Sequence, residues 1–346
     1  MHDFKETAAV GAQIAEWMFG MGKLGKFVNV TERAGVQVAL SQLLTSVAFS
    51  LTSGKGRFAL SCSKMQSNAI GRYVSRTYGD VIRDWNQQPE TAVPFHKQEL
   101  IPAWSYWTQG EGDAPDLCKR LFNIHRKQLK ECDYHVISAD TVDQFVELPG
   151  MIFDKRRRGI ISEAHFTDIL RCALLKQYGG LWVDSTILLT DTVPRTIWDV
   201  PFYFAKGCSD NNVYAALSPE TSQWECSFLA AQRQSLFFSF LLDMLIRYWS
   251  DEDENILYYF LIHQFALVGL HGISVLAQEE KLIPDNNWSY PLLSERLLMK
   301  NEYDQSVQID EKTYCFKLSR TAAYDPRKLE AVLSAVEHGE PIRRKY

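Results

Sequence analysis

One stretch constrains the fold of this chain more than any other, residues 164–186: Ala164-His165-Phe166-Thr167-Asp168-Ile169-Leu170-Arg171-Cys172-Ala173-Leu174-Leu175-Lys176-Gln177-Tyr178-Gly179-Gly180-Leu181-Trp182-Val183-Asp184-Ser185-Thr186. Its first part has helical rhythm. Phe166, Ile169, Leu170, Ala173 and Leu174 recur at three- and four-residue spacings, which predicts a helix over 163–178 with one apolar face. Gly179 and Gly180 close it, because glycine enters the left-handed conformation of a helix C-terminus without a Cβ clash. Leu181, Trp182 and Val183 then read as a short buried strand with Asp184 at its C-terminal end. Ligands of open α/β sheets bind off the C-terminal ends of strands, so a carboxylate there can meet a ligand or a metal. Asp168 and Arg171, three residues apart, share a helix face that the pattern sets opposite the apolar stripe. Taken residue by residue, plainer readings stand beside these. Asp184 can bond its own turn backbone, and Asp168 with Arg171 can be a surface ion pair worth ~0.3–0.5 kcal/mol.

Around this segment, strands and helices alternate. Short strands are expected over 103–108, 134–138, 201–205 and 225–230, and helices over 116–130, 236–249 and 256–270. A last helix has clear punctuation, with Asp325 as N-cap, Pro326 in the first position and Gly339 beyond the end. Such alternation indicates an α/β layer fold with a mostly parallel sheet. Before residue 95 the rhythm is helical, with candidates at 8–18, 35–51 and 73–85, and the polar run at 86–90 with Pro94 reads as a linker. The expected organisation is an N-terminal helical region, 1–95, and an α/β domain, 96–346.

The net charge is −5, distributed unevenly: residues 1–100 carry 11 Lys and Arg against 8 Asp and Glu, so the excess of acid lies in the remainder. An acidic chain is a poor candidate for non-specific nucleic-acid binding, while the basic first part could sit near an anionic surface. Seven cysteines, none in Cys-x-x-Cys spacing and odd in number, fit neither a zinc site nor a full disulfide framework. The best apolar run, 36–51, is interrupted by Gln37, Ser41, Gln42, Thr45, Ser46 and Ser50 and is too short and polar to span a bilayer. The expectation is a soluble, cytoplasmic protein, at most peripheral to the inner face of a membrane. Lys155-Arg156-Arg157-Arg158 reads as a loop, either simply solvated or a lid and anion-binding patch; Asp251-Glu252-Asp253-Glu254 reads as a solvated helix start. His165 and His263 read as structural.

The central segment resembles the signature of the capsular polysaccharide synthesis protein family and is similar to DXD-type GT-A glycosyltransferases. Ile101-Pro102-Ala103-Trp104-Ser105-Tyr106-Trp107-Thr108-Gln109-Gly110 followed by Ala114-Pro115 resembles the family's opening strand, and Tyr259-Phe260-Leu261-Ile262-His263 is a weaker third match. The resemblance covers about residues 100–320. It implies a GT-A-like, Rossmann-like nucleotide-sugar-binding sheet and a metal-assisted, retaining hexosyltransferase acting on polysaccharide, lipopolysaccharide or lipid-linked acceptors. It implies Trp107 and Gln109 at the base and ribose, Asp168 and Arg171 at the ribose or donor sugar, and Lys317 over the diphosphate. Asp184 would hold Mn²⁺ or Mg²⁺ against the donor, a UDP-sugar by analogy with the family, with Ser185 and Thr186 supplying hydroxyls. Thr186 stands where many relatives have a second Asp. Two rivals follow from the same residues: a sugar-phosphate transferase, and a non-catalytic nucleotide-sugar-binding scaffold.

Overall fold

The computed structural model describes residues 23–52, 54, 56–89, 92–96, 99–206, 224–298 and 309–342. The helix expected over 8–18 and Cys208 lie outside them. Four helices come first: α1 (Lys23–Ala34), α2 (Val36–Thr52), α3 (Gly56–Thr77) and α4 (Gly79–Trp85). Where the sequence predicts one helix over 73–85, the chain has the end of α3 and the whole of α4. There follow β1 (Ile101–Tyr106), α5 (Asp116–Gln128), β2 (Cys132–Ile137), α6 (Gly150–Arg157), α7 (Glu163–Gln177), β3 (Gly180–Val183), β4 (Ile187–Leu189) and β5 (Phe202–Phe204). The chain continues through β6 (Phe228–Ala231), α8 (Leu236–Asp251), α9 (Leu261–Gly272), α10 (Ser274–Glu280), β7 (Cys315–Lys317) and α11 (Pro326–His338).

The central sheet has the order β2-β1-β3-β6-β5. β1 runs parallel to both β2 and β3, β6 is antiparallel to β3, and β5 is antiparallel to β6. Four strands therefore point one way and β6 the other, and the fold is the GT-A-like, Rossmann-like α/β arrangement. All four residues of β3 and all four of β6 are buried, as a strand covered by helices on both faces must be. A second, two-stranded sheet pairs β4 with β7 antiparallel, Ile187 opposite Lys317.

The turn between α7 and β3 depends on its two glycines. Gly179 and Gly180 have φ of +66° and +90°. A Cβ on Gly180 would lie 1.9 Å from the Pro102 carbonyl oxygen of β1, so no other residue lets β3 pair in this register. At its other end α7 is capped by Ser162, whose hydroxyl accepts the His165 N–H at 3.2 Å. The last helix starts and stops where its punctuation predicts, with Asp325 accepting from the Arg327 and Lys328 amides and Gly339 at φ 77°.

Three expectations change. β1 ends at Tyr106, so Trp107 and Thr108 leave the expected strand and join Gln109 in the turn behind it. Lys155, Arg156 and Arg157 belong to α6 rather than to a loop, and their charges are engaged. Lys155 donates to the carbonyl oxygens of Trp249 and Glu252 and pairs with Asp253, while Arg156 pairs with Glu163 and lies 3.9 Å over the Phe166 ring. The acidic run 251–254 begins with the last residue of α8 and continues beyond it instead of starting a helix, and α9 begins only at Leu261. Acid at a helix C-terminus opposes the macrodipole; Lys155, Arg33 and Arg247 offset it by pairing with Asp253, Glu252, Glu254 and Asp251. The hydrophobic core is continuous across residue 95: Val30, Val38, Ile70 and Val74 belong with Trp182, Phe228 and Val336 to one buried cluster.

Candidate active site

The parallel strands β1 and β3 end side by side, and their next residues, Trp107 and Asp184, lie at the same edge of the sheet. Asp184 is fixed from four sides. Its amide donates to the Ser227 carbonyl beyond the end of β6 at 2.9 Å. Its Oδ1 accepts the Trp182 indole N–H at 2.8 Å, and its Oδ2 accepts the Lys317 ammonium at 2.8 Å. The Arg171 guanidinium stands 3.5 Å from Oδ1. Lys317 arrives by the β4–β7 pairing, which sets it opposite Ile187, and the Leu318 amide bonds to the Thr186 carbonyl at 2.9 Å.

Arg171 is the hub. It pairs with Asp168 at 3.4 Å, lies 5.2 Å from the Trp182 ring and donates to the Cys226 carbonyl at 2.8 Å. Asp168 and Arg171 are 7% and 5% exposed, so the polar face of α7 is not the solvent face that the pattern suggests. The loop at 225–227 covers it on one side. Buried charges of this kind persist only when paired and hydrogen-bonded.

The electrostatics follow from burial and pairing. Burial pushes the Asp168 carboxyl up to about 6, against the opposing pull of Arg171 and His263 and with help from Asp184. Burial also raises Asp184, but Lys317, Arg171 and the bonds from Lys317 and Trp182 outweigh it and hold it below the usual carboxylate range. For Lys317, desolvation is outweighed by Asp184, and its ammonium is held above its ordinary value. At neutral pH the centre is therefore two carboxylates interleaved with two permanent cations.

On the other side, Trp107 packs on Ala114, Cys118 and Phe122, with Arg320 5.1 Å from its ring. The indole N–H of Trp107 is buried without a hydrogen-bond partner. Burial pushes the Cys118 thiol up, and Arg320, Ser185 of the motif and Lys317 all act against that shift. Trp107 lies at the same sheet edge as Asp184 and its partner Lys317, whereas Gln109 is exposed in the turn. Trp104 and Tyr106, on the opposite face of β1, are core residues: Trp104 bonds to the Gly179 carbonyl at 3.2 Å and Tyr106 packs on Phe166.

The sequence does not reveal the far wall. Glu225 accepts from the Cys226 and Ser227 amides and the Ser227 hydroxyl, and Tyr290 bonds to that hydroxyl. His263 lies with its Nε2 3.2 Å from the Cys226 sulfur, and donor atoms of Glu225, Cys226 and His263 all lie within 4.8 Å of one another. His165 is structural, bonded to Ser162 and to the Tyr259 carbonyl, and burial pushes it down to about 4.

A GT-A-like α/β sheet with a buried carboxylate–guanidinium centre at its C-terminal edge defines the class. The chain belongs to the capsular polysaccharide synthesis protein family, whose sequence model matches residues 55–335. That match begins inside the helical region set apart by the sequence, at the start of α3. Two curated proteins are similar over shorter stretches: the O-glycosyltransferase PaGT of Phomopsis amygdali, 29% identical over 107 residues, and the glycosyltransferase afumC of Aspergillus fumigatus, 23% identical over 173. These matches take in 28% and 46% of this chain and 26% and 41% of those proteins, so the chain spans less than half the length of either.

Proposed function

We propose that the protein transfers a hexose from a nucleotide sugar, a UDP-sugar in the first instance, to a hydroxyl of a glycan or lipid-linked acceptor. The observation that carries this reading is the buried Arg171 held between Asp168 and Asp184, with Lys317 on the second oxygen of Asp184. Two fixed cations off the C-terminal end of the parallel strand β3 suit a diphosphate. The indole of Trp107 and the guanidinium of Arg320 offer flat surfaces for a base. In the reaction the bond from the sugar C1 to the diphosphate oxygen breaks and the electron pair leaves on that oxygen. The acceptor oxygen bonds to C1, and its proton passes to the departing phosphate. Asp168 and Asp184 are both engaged by cations, which disfavours either as a general base and favours retention of configuration. Arg171 and Lys317 oppose the charge that grows on the leaving group, and such preorganised groups act most strongly away from bulk water.

Mn²⁺ or Mg²⁺ fits this set as a half-site. Such ions bind through one or two carboxylates together with substrate phosphates and water. Asp184 supplies the carboxylate, and the hydroxyls of Ser185 and Thr186 are the remaining hard donors of the motif. When bound, the ion would offset charge on the diphosphate. Lys317 would then exchange Asp184 for a phosphate oxygen.

The test is a panel of nucleotide sugars with and without Mn²⁺, read by melting temperature and by the nucleotide released. A donor that binds only the folded state raises the Tm, and the expected product of its slow hydrolysis is the nucleoside diphosphate. Release of nucleoside monophosphate would identify a sugar-phosphate transferase. A Tm shift with no release would identify a non-catalytic binding protein, a reading that Thr186 in place of a second Asp favours.

A further inference from the structure

Helix α2 is turned inside out. Val36, Leu40, Leu43, Leu44, Val47 and Leu51 recur at helical spacings and are all exposed, Val36 by 56% and Leu51 by 75%. Its buried side carries small and polar residues instead, among them Ser41, Gln42, Thr45 and Ala48. These are satisfied within the protein: Gln42 donates to the carbonyls of Ile256 and Leu257, and Thr45 donates to the Cys62 carbonyl at 3.0 Å. On the packed neighbour α3, Phe58 and Met65 are exposed two turns apart, Phe58 by 56%. An ordinary surface helix shows the reverse pattern, and an apolar patch of this extent marks an interaction surface.

We propose that the α2–α3 hairpin docks this protein on an anionic phospholipid leaflet, its leucine face in the headgroup–acyl boundary. The charge pattern selects the occupant. Residues 33–79 contain no Asp or Glu and six Lys or Arg, in a chain whose net charge is −5. Arg33 turns inward to Glu252 and Glu254, but Arg57, Lys64, Arg72 and Arg76 of α3 are exposed. Apolar side chains edged by cations are what an anionic interface holds. A two-fold dimer through the same face would set those cations against their own copies. Spanning is excluded for α2: its 17 residues are about 25 Å long against a hydrocarbon core of about 30 Å, and one side of it is committed to the protein. No single helix among the described residues is long and apolar enough to cross a membrane. The hairpin also packs on α9, through Gln264 donating to Ser67 at 2.8 Å, and α9 carries His263 of the site. Docking would therefore hold that site near the surface from which a lipid-linked acceptor projects.

The test is co-sedimentation of the full chain with phosphatidylcholine vesicles with and without phosphatidylserine, alongside light scattering without lipid. Binding is expected only to vesicles with phosphatidylserine, and it should weaken as salt rises. Leu44→Glu with Leu51→Glu should lower the bound fraction on the order of tenfold, and Arg72→Glu with Arg76→Glu should remove the salt-dependent part, both with an unchanged circular dichroism spectrum. A fluorophore on Val47→Cys should shift to the blue on binding, which reads insertion without altering charge. Failure of the full chain to bind, equal binding to both vesicle types, or a dimer that Leu44→Glu breaks would each overturn the proposal. Donor hydrolysis by the lipid-free protein is a separate readout, so failure here leaves the donor-site reading standing.

Discussion

The polar face of α7 and the hairpin of α2 and α3 break the same rule in opposite directions. Around Arg171 the protein buries charge; along α2 it exposes leucine. The first exception is resolved inside the molecule, because every charge at the centre has a partner of opposite sign within 3.5 Å. The second is resolved by nothing inside the described residues. A buried ion cluster costs desolvation that its own pairs must offset, and replacing such clusters by apolar residues is often neutral or stabilising. Its retention at a strand end therefore argues for chemistry. An exposed apolar stripe costs little while the chain is isolated, and argues for something outside it.

If the centre is held by mutual pairing, removing its hub should cost most. Arg171→Met should destabilise the fold by roughly 3–5 kcal/mol in urea unfolding, because the buried Asp168 loses its ion-pair partner and Asp184 one of its two cations. Arg157→Ala, which removes an exposed cation paired with Asp154, should change stability by no more than about 0.5 kcal/mol. Equal effects would erase the distinction between structural surface pairs and the centre. Asp168→Asn added to Arg171→Met should recover part of the loss, since contacting residues are not additive.

Asp184→Asn comes next. It keeps size and one acceptor oxygen but turns the other into an amide nitrogen and removes the charge that faces Lys317 and Arg171. Donor turnover should fall on the order of 10²-fold or more, chiefly in kcat, with folding intact by circular dichroism. Thr186→Ala should cost far less, since water can replace a hydroxyl. Near-normal turnover by Asp184→Asn would move the chemistry elsewhere.

Asp168 gives a pH signature. Its folded value of about 6 lies above its unfolded one, so its ionisation opposes folding. Stability should fall as pH rises from about 4 to 6, by roughly 2–3 kcal/mol. Asp168→Asn should flatten that slope, and a slope unchanged in the variant would assign it to other groups. If ionised Asp168 also orients Arg171, turnover should decline as pH drops below about 6.

The smallest effect separates α6 from the centre. Lys155 bonds to carbonyls at and just beyond the end of α8 and pairs with Asp253. Lys155→Gln should cost about 0.3–1 kcal/mol of stability and leave the donor KM and its salt dependence unchanged. A raised KM would restore the anion-patch reading of the run 155–158.

What was legible in the sequence was local. Gly179-Gly180, the cap at Asp325 and the strand ending in Asp184 follow from steric and hydrogen-bonding rules within a few residues, and each is where the pattern predicts. The α7 face was misread because a helical period gives an apolar stripe without saying what covers the other side. Here residues 225–227, far along the chain, do so. The same ambiguity hid α2, whose stripe is plain in sequence but faces out. The change of rhythm near residue 95 is real, yet the buried faces of α1–α4 join the core of the sheet, and Val93 bridges to Arg233. Lys317 was flagged by resemblance; its register with Ile187 is a long-range pairing that no local pattern encodes.

The most direct test of the central claim is titration calorimetry of nucleoside diphosphates against the matching monophosphates, on the unaltered protein and on Lys317→Ala. If Lys317 and Arg171 form a diphosphate seat, the diphosphate of the correct base should bind at least about tenfold tighter than its monophosphate, a difference of about 1.4 kcal/mol. Lys317→Ala should erase most of that gap. Equal affinity for the two nucleotides, or a gap that survives Lys317→Ala intact, would contradict the account.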